Sequence, residues 1–275
     1  MPPEIVFGLG AAVANVAVAV LSTQLVAKYP ARQLLGPLFL LNCLLVLPFA
    51  PFVTWTWTPT VVALHVGTTV ALVASAVAIW DMYEHGGAAP TVTAQSVAPF
   101  PAVILAGLLI PGSVGPAQVV AAGVVVAGVL VALRDEFGAL GRRRTAASIL
   151  VAAVGTGVIT VFARLLYDNG AGVVEAYVVR TALASVACLV LFPPRDVPWR
   201  DVPRMMPRAI AITVHLCLVL LAVQGGNPAV VQIVVATGPL FAFAWDAAVH
   251  GRRPTRGLVA GAVIAFAGVA IVALA

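Results

Sequence analysis

The chain has 275 residues; 62% of them are hydrophobic, only 9% are charged, and the mean hydropathy is +1.08. So little polar surface cannot solvate a globule of this size, and an ordinary soluble domain is therefore excluded. The formal net charge of +5 is spread over short segments between apolar blocks and forms no continuous basic patch, which argues against nucleic-acid binding. The composition predicts an integral membrane protein.

The apolar blocks are long enough for helices to cross the hydrocarbon layer, since roughly 30 Å takes about 20 residues. Barrel strands would be about half as long and would alternate polar and apolar residues. The sequence therefore predicts an all-α, polytopic membrane protein with ten transmembrane helices. The predicted spans are 5–27, 33–50, 60–80, 90–110, 117–133, 146–166, 172–192, 208–223, 228–248 and 257–274. Prolines such as Pro59, Pro116 and Pro228 stand at or just before span starts, where a missing N–H costs least.

Basic residues are concentrated on alternate connections between these spans. Of the 15 Lys and Arg residues, 13 lie in the first, fifth, seventh and ninth connections, and the even-numbered connections hold none. They are Lys28, Arg32, Arg134, Arg142, Arg143, Arg144, Arg195, Arg200, Arg204, Arg208, Arg252, Arg253 and Arg256. Because cytoplasmic loops are enriched in Lys and Arg, we expect the odd-numbered connections in the cytoplasm. Both termini are then expected outside, in the cytoplasmic (inner) membrane of a bacterium.

An internal repeat is visible when the sequence is shifted by 138 residues without a gap. The shift superimposes Pro90 on Pro228, Pro101 on Pro239, Pro116 on Pro254 and Gly123 on Gly261. The register predicts two halves of five helices, residues 1–136 and 145–275, joined by a basic cytoplasmic linker at 137–144. An odd number of helices in each half turns the second half over, which is the inverted-repeat arrangement of many transporters.

Two segments, Pro90–Leu133 and Pro228–Leu274, resemble the drug/metabolite transporter superfamily, specifically its EamA-like members. In that family each half ends with a helix that carries a mid-span proline, here Pro101 and Pro239. A tight turn and a helix of small residues follow. The resemblance implies ten helices in two inverted five-helix repeats that work by alternating access.

Candidate substrate residues are polar residues at membrane depth, which are costly there and usually face the bundle interior. On the seventh span, Tyr177 and Arg180 share one face, and Glu175 lies about one turn toward the outer end. At ~1.5 Å per residue, Arg180 lies roughly 12 Å inside that end. We expect Arg180 and Tyr177 to bind substrate; the alternative is a structural ion pair between Arg180 and Glu175.

The sixth span carries Thr160 and Arg164 on one helical stripe. Both are candidate substrate residues. Arg164 lies only ~3 Å inside the end of its span, so snorkelling or a pair with Asp168 is the alternative for this residue.

Three amides are candidate cavity residues: Asn15 on the first span, Gln95 before Pro101, and Gln232 before Pro239. A proline inside a span frees a carbonyl and opens the backbone toward a cavity. Hydrogen bonding between helices is the alternative for these amides.

Two histidines lie inside spans, His65 near the start of the third and His215 near the start of the eighth. The repeat makes these spans equivalent. An imidazole that titrates near neutrality can relay protons, so both are candidate proton-coupling residues, with Glu175 as the next carboxylate. The alternative is that they are hydrogen-bonded packing residues.

No Walker sequence is present, so ATP is not expected as the direct energy source. Asp81, Glu84 and His85 form the one cluster of acids and histidines at an interface, and a polar loop is the simplest interpretation of it. We predict no enzyme activity, no cofactor and no metal.

The sequence thus favours a secondary transporter for a small anionic or zwitterionic metabolite, with a cavity lined by spans one, three, four, six, seven, eight and nine. A flippase for a lipid-linked sugar or polyprenyl phosphate is one alternative, and a lateral apolar opening beside Arg180 would favour it. A non-transporting scaffold is another, and it would have no cavity. The expected partners are the small-molecule or lipid-linked substrate and membrane lipids, without nucleic acid, and the expected assembly is a monomer or homodimer.

Overall fold

The computed structural model describes residues 2–86, 91, 96–132, 143–238, 240–242, 244–245 and 256–274. In these residues all regular structure is helical and no strand occurs, which confirms the all-α prediction. The helices are α1 (Pro3–Val26), α2 (Ala31–Val46), α3 (Pro59–Gly86), α4 (Pro99–Leu109), α5 (Pro116–Ala132), α6 (Arg143–Asp168), α7 (Val173–Leu191), α8 (Met206–Gly225), α9 (Pro228–Val235) and α10 (Arg256–Leu274). Short 3-10 turns, Leu47–Phe52 and Trp199–Met205, follow α2 and precede α8.

Six helical segments of the described chain are 19 to 27 residues long and apolar enough to cross a membrane. They are α1, α2 with its 3-10 turn, α3, α6, α7, and α8 with its 3-10 turn. Large apolar side chains also point outward: Val70, Leu108 and Val186 are each more than 60% exposed. Such a surface suits lipid rather than water, so the prediction of a multi-pass membrane protein is confirmed.

Helix α3 is longer than the sequence predicts and continues to Gly86. Asp81, Glu84 and His85 therefore lie on the last turns of this helix, and their prediction as a polar loop is wrong. Asp81 is buried and lies 4.0 Å from Arg32 and 3.7 Å from His85, because the helix end packs against the first connection.

Each helix of the first half has a counterpart five helices later, and the two halves show the same pairs of packed helices. α1 packs on α8 as α6 packs on α3, and α1 packs on α9 as α6 packs on α4. α2, α4 and α5 pack on their own counterparts α7, α9 and α10. This is the packing expected of two equivalent five-helix halves. The predicted linker, 137–144, lies largely outside the described residues, so the exact boundary between the halves stays a prediction.

The fourth and ninth spans are interrupted at equivalent positions. Residues 96–97 are helical, Ala98 is a turn, and α4 then begins at Pro99 with Pro101 in its first turn. α9 ends at Val235 and a turn follows at 236–237, which is 138 residues after Ala98. A proline removes the hydrogen bond to the fourth preceding carbonyl, which explains a break just upstream of Pro101. The prediction was a kink within one helix; α4 instead restarts after a break, and Pro239 lies outside the described residues.

The two breaks face each other. The hydroxyl of Ser96 donates to the carbonyl of Ala236 across 3.3 Å. The carbonyl of Ala236 is available because the N–H of Leu240 bonds to Thr237 instead. The freed backbone is thus satisfied inside the protein, as it must be at membrane depth.

Glycines allow α5 and α10 to pack with their backbones in contact. A Cβ atom on Gly128 would lie 2.5 Å from the backbone nitrogen of Ala265 and 2.7 Å from the carbonyl oxygen of Gly261. A Cβ atom on Gly268 would lie 3.0 Å from the carbonyl oxygen of Ala121. The small-residue runs on these helices therefore form a packing surface between them.

Among the described residues, the first and seventh connections meet at one end of the bundle, and the second and sixth connections meet at the other. At the first end, which we call the basic end, Lys28 lies 4.0 Å from Asp201. At the opposite end, the hydroxyl of Thr56 donates to the carbonyl of Gly170 across 3.2 Å. The alternation agrees with helices that cross repeatedly, while the predicted orientation of the two ends in the membrane stays a prediction.

Candidate functional site

A cavity of about 140 Å³ lies between α1, α2, α3, α6, α7, α8 and α9, and we call it the central cavity. Its wall is mostly apolar. Its polar lining residues are Asn15, Asn42, Ser75, Tyr83, Thr156, Thr160, Arg180, Arg208, His215 and Gln232. A small number of polar groups in an apolar wall is typical of a small-molecule site.

The helices that line the central cavity are the predicted ones, except that α2 takes the place of α4. None of the described residues of α4 lines it, whereas α2 contributes Leu35, Leu38, Phe39 and Asn42. These four residues follow the i, i+3, i+4, i+7 spacing of one helical face. The prediction followed polar residues, so a face that is almost wholly apolar was overlooked.

Arg180 reaches the central cavity from the middle of α7. The residue is only 2% exposed, and its Nε and Nη2 atoms have no hydrogen-bond partner in the described part of the chain. The centre of the Tyr177 ring lies 5.4 Å from the guanidinium carbon, which gives a cation–π contact and no hydrogen bond. Arg180 is thus a buried cation whose donors are only partly used.

The alternative partner for Arg180, Glu175, is engaged elsewhere. Glu175 is fully buried; its Oε1 atom accepts a hydrogen bond from the backbone N–H of Thr56 at 3.1 Å and lies 3.6 Å from Nε2 of His65. Its Oε2 atom and both ring nitrogens of His65 form no hydrogen bond with the described residues. Two of the residues predicted for proton coupling therefore form a buried pair, which we call the His65–Glu175 pair.

The His65–Glu175 pair lies outside the central cavity, beneath the α2–α3 connection. The ring of Trp57 lies 6.4 Å from the imidazole of His65, and Trp57 itself is largely exposed. Thr56 holds this connection to α7 through Glu175 and to the α6–α7 connection through Gly170. These contacts hold the α2–α3 connection over the pair.

Arg164 does not line the central cavity. Its Nε atom lies 3.0 Å from the carboxylate of Asp168, and its Nη1 atom lies 3.4 to 3.5 Å from the carbonyls of Val223, Gln224 and Gly226. The guanidinium therefore neutralises one acid and satisfies carbonyls at the C-terminal end of α8. This placement agrees with the Asp168 alternative and does not support a substrate role.

The other predicted substrate residues divide into two groups. Thr160 and Gln232 line the central cavity and are hydrogen-bonded to each other, with Oε1 of Gln232 left without a partner. Asn15 also lines the cavity. Tyr177 is fully buried behind the lining, and its hydroxyl lies 2.9 Å from that of Thr213. Gln95 lies outside the described residues.

His215 is separate from the His65–Glu175 pair and lines the central cavity. Its Nδ1 atom lies 2.8 Å from the carbonyl of Ala11. Because a carbonyl only accepts, Nδ1 carries the proton, and Nε2 is the remaining acceptor of the neutral ring. This geometry makes His215 a fixed polar group of the cavity.

Arg208 is the lining residue that the sequence analysis missed as a site. It was counted among the basic residues of the seventh connection, but it lies in the first turn of α8 and is only 8% exposed. Its Nε atom donates to the hydroxyl of Ser22 at 3.2 Å, and its guanidinium lies 5.0 Å from the ring centre of Trp80. The sequence spacing could have indicated this placement, because Arg208 and His215 are seven residues apart and share one helical face.

Comparison with known proteins agrees with this geometry. The EamA-like transporter family matches residues 143–274. This match confirms the predicted resemblance to EamA-like transporters. A membrane transporter of the drug/metabolite type, rather than an enzyme, is the function that the EamA-like match supports.

One solved crystal structure shares the fold along nearly the whole chain. The two chains superpose with a TM-score of 0.75 at 18% identity, over 98% of this chain and 96% of that chain. No curated protein matches the sequence. The EamA-like match covers the second half alone, so the structural comparison is what extends the fold to the first half.

Proposed function

We propose that the EamA-like chain is a secondary transporter that moves a small anionic metabolite across the cytoplasmic membrane by alternating access. The central cavity is the substrate site. The observation that carries this proposal is Arg180: it is buried, it lines the cavity, and two of its nitrogens have no partner among the described residues.

A guanidinium stays protonated in proteins, so Arg180 carries a permanent charge. Burial of an unpaired charge costs several kcal/mol, and an anion in the cavity offsets that cost. No carboxylate belongs to the described lining of the cavity. An ammonium group would therefore lack a charged partner there, which favours an anion over a zwitterion.

The size of the central cavity favours a small molecule over a lipid-linked one. Its volume of about 140 Å³ is close to that of engineered protein cavities of roughly 150 Å³ that hold benzene. A polyprenyl phosphate or a lipid-linked sugar is far larger than this space. A scaffold has no need of a cavity, and a buried unpaired arginine would only lower its stability.

Proton coupling is assigned in this proposal to the His65–Glu175 pair. The guanidinium of Arg180 lies within electrostatic range of the His65 imidazole. A bound anion neutralises Arg180 and so removes a repulsion that opposes a proton on the pair. By linkage, a proton on the pair strengthens anion binding to the same extent, which is the coupling that a symporter needs.

Alternating access requires that the opposite end of the bundle opens. The hydrogen bonds of Thr56 with Glu175 and Gly170 hold the α2–α3 connection at that end. A proton on Glu175 weakens its acceptance from Thr56, because a neutral carboxyl accepts less strongly than a carboxylate. Proton binding at the pair and release of the α2–α3 connection are thus joined in one step.

The orientation in this proposal follows the arginine count, with the basic end in the cytoplasm and both termini outside. The test is a pair of reporters, one active only in the cytoplasm and one active only outside, fused after the last residue. Activity of the external reporter alone is expected. Activity of the cytoplasmic reporter alone would reverse the orientation without affecting the site.

The test of the function uses purified protein reconstituted in vesicles. Uptake is measured for a panel of small carboxylates and phosphate esters, their zwitterionic amino derivatives and small cations, with and without a pH gradient. We expect uptake of at least one anion by the native chain, loss of uptake in Arg180→Gln, and native uptake in Arg256→Gln, whose arginine is exposed at the start of α10. Uptake of cations alone, or an undiminished rate in Arg180→Gln, would overturn the proposal.

A further inference from the structure

The central cavity contains a second buried arginine at the end remote from Arg180. Arg208 uses its Nε atom for Ser22 and faces the ring of Trp80, and no hydrogen bond of its two Nη atoms occurs with the described residues. No described carboxylate forms an ion pair with it. Trp80 and Tyr83, which line the same end, are 2% and 4% exposed, so they shield Arg208 from the surroundings.

The two arginines lie at different depths. Arg180 is the eighth residue of α7, and Arg208 is the third residue of α8, which runs in the opposite direction. At ~1.5 Å per residue, their Cα atoms are roughly 15 Å apart along the bundle. His215 lies between them, within electrostatic range of both. Both side chains line the one central cavity.

The charges in the described lining do not balance. Arg180 and Arg208 contribute two permanent positive charges, and the described lining contains no carboxylate. A ligand with one negative charge compensates one guanidinium and leaves the other buried and unpaired. A ligand with two anionic groups compensates both, provided that the groups are far enough apart to reach each arginine.

We infer that the central cavity binds a small dianion whose two anionic groups are separated, with one group held by Arg180 and the other by Arg208. This inference rests on the proposed function and specifies its substrate class. Apart from His215, the α8 wall between the arginines consists of the apolar residues Ile212 and Leu216, so the part of the ligand between its charged ends is apolar. A short dicarboxylate has this chemistry.

The experiment compares ligands of equal carbon number with one or two anionic groups. Binding to purified native protein is measured by calorimetry for butanoate and butanedioate, which share a four-carbon chain, and for dicarboxylates of three to seven carbons. Charged hydrogen bonds typically contribute enough for about a tenfold difference in affinity, so we expect butanedioate or a longer dicarboxylate to bind about tenfold more tightly than the matched monoanion. One chain length should bind best, because the two arginines are fixed.

Variants then assign each end of the ligand. Arg208→Gln should remove the preference for the dianion, so that the dianion binds no more tightly than the matched monoanion does. Arg180→Gln should weaken both ligands. Arg208→Lys, which keeps the charge, should retain the preference for the dianion, and it replaces Arg208→Gln if that variant does not fold. The matched control is Arg200→Gln, whose arginine is exposed at the same end of the bundle.

The possible failures are distinct. Binding of monoanions and dianions with equal affinity, or of two monoanions per protein with no gain for a dianion, would overturn this inference and leave the proposed function standing. An unchanged preference for the dianion in Arg208→Gln would also overturn it. Absence of binding and of transport for every anion would overturn the proposed function itself.

Discussion

Arg164 and Arg180 lie on neighbouring helices, and the sequence predicts both as substrate residues, but their surroundings in the fold are opposite. Arg164 has a carboxylate at 3.0 Å and three carbonyls within 3.5 Å. Arg180 is almost completely buried and has two nitrogens without a partner among the described residues. The difference teaches that depth in the membrane does not identify a binding residue; the unused hydrogen-bonding capacity does.

The largest expected effect is a difference in uptake rate between variants of Arg180 and Arg164. Arg180→Gln should lower the uptake rate by up to about 100-fold, because a charged hydrogen-bonded contact to substrate typically contributes up to ~3 kcal/mol. Arg164→Gln should retain uptake within a factor of about three per folded protein, since it removes no ligand contact. Initial rates in vesicles, normalised to correctly folded protein, provide the measurement. Equal losses in both variants would remove the distinction.

For the free energy of unfolding we expect the reverse order: substitution of Arg164 should have a larger effect than substitution of Arg180. Arg164→Gln breaks a partly exposed ion pair and removes a donor from carbonyls at the end of α8, so we expect a loss of about 1 kcal/mol in the free energy of unfolding. Arg180→Met removes an uncompensated buried charge and should leave the ligand-free protein equally or more stable. Thermal unfolding of the ligand-free proteins tests both. A strongly destabilised Arg180→Met would indicate that Arg180 has a structural partner.

Proton coupling should follow the His65–Glu175 pair and not His215. Glu175→Gln and His65→Gln should each abolish uptake driven by an imposed pH gradient while exchange of labelled for unlabelled substrate continues, because exchange needs no net proton movement. His215→Gln is the matched control within the cavity and should keep the response to the pH gradient. A response lost only in His215→Gln would assign coupling to the cavity histidine instead.

The smallest expected effect comes from a neutral lining residue. Gln232→Leu removes an amide that faces the cavity beside Thr160, and a neutral hydrogen bond is worth about 1 kcal/mol, so the affinity for substrate should fall by about fivefold. Gln224→Leu is the control, since Gln224 is exposed at the end of α8. The apparent affinity in vesicle uptake measures both. A loss as large as that of Arg180→Gln would show that charge is not the dominant contribution.

Sequence reasoning predicted the fold well because hydrophobic length and spacing are local properties. The all-α, multi-pass architecture follows from apolar blocks, and the interruptions at Ala98 and after Val235 occur where the 138-residue register predicts equivalent features. The helix starts at Pro59, Pro116 and Pro228 agree as well. Each of these properties is determined by residues within a few turns of one another.

The site was harder to predict because its contacts join distant parts of the chain. Residue spacing gives an ion pair between Glu175 and Arg180 as one alternative, whereas the fold pairs Glu175 with His65, 110 positions earlier. Arg208 was interpreted as an orientation signal because its burial depends on Trp80 and Ser22, which lie far away in sequence. Spacing along one helix gives the face of a residue; the partners on other helices decide what that face does.

Binding of an anion by Arg180 can be measured directly by calorimetry with a matched neutral ligand. Butanoate or butanedioate and the corresponding uncharged amides are titrated into native protein, Arg180→Gln and Arg164→Gln. We expect the native chain and Arg164→Gln to bind an anion and not its amide, and Arg180→Gln to bind the anion much more weakly. Equal binding of anion and amide by the native chain, or undiminished anion binding by Arg180→Gln, would contradict this expectation.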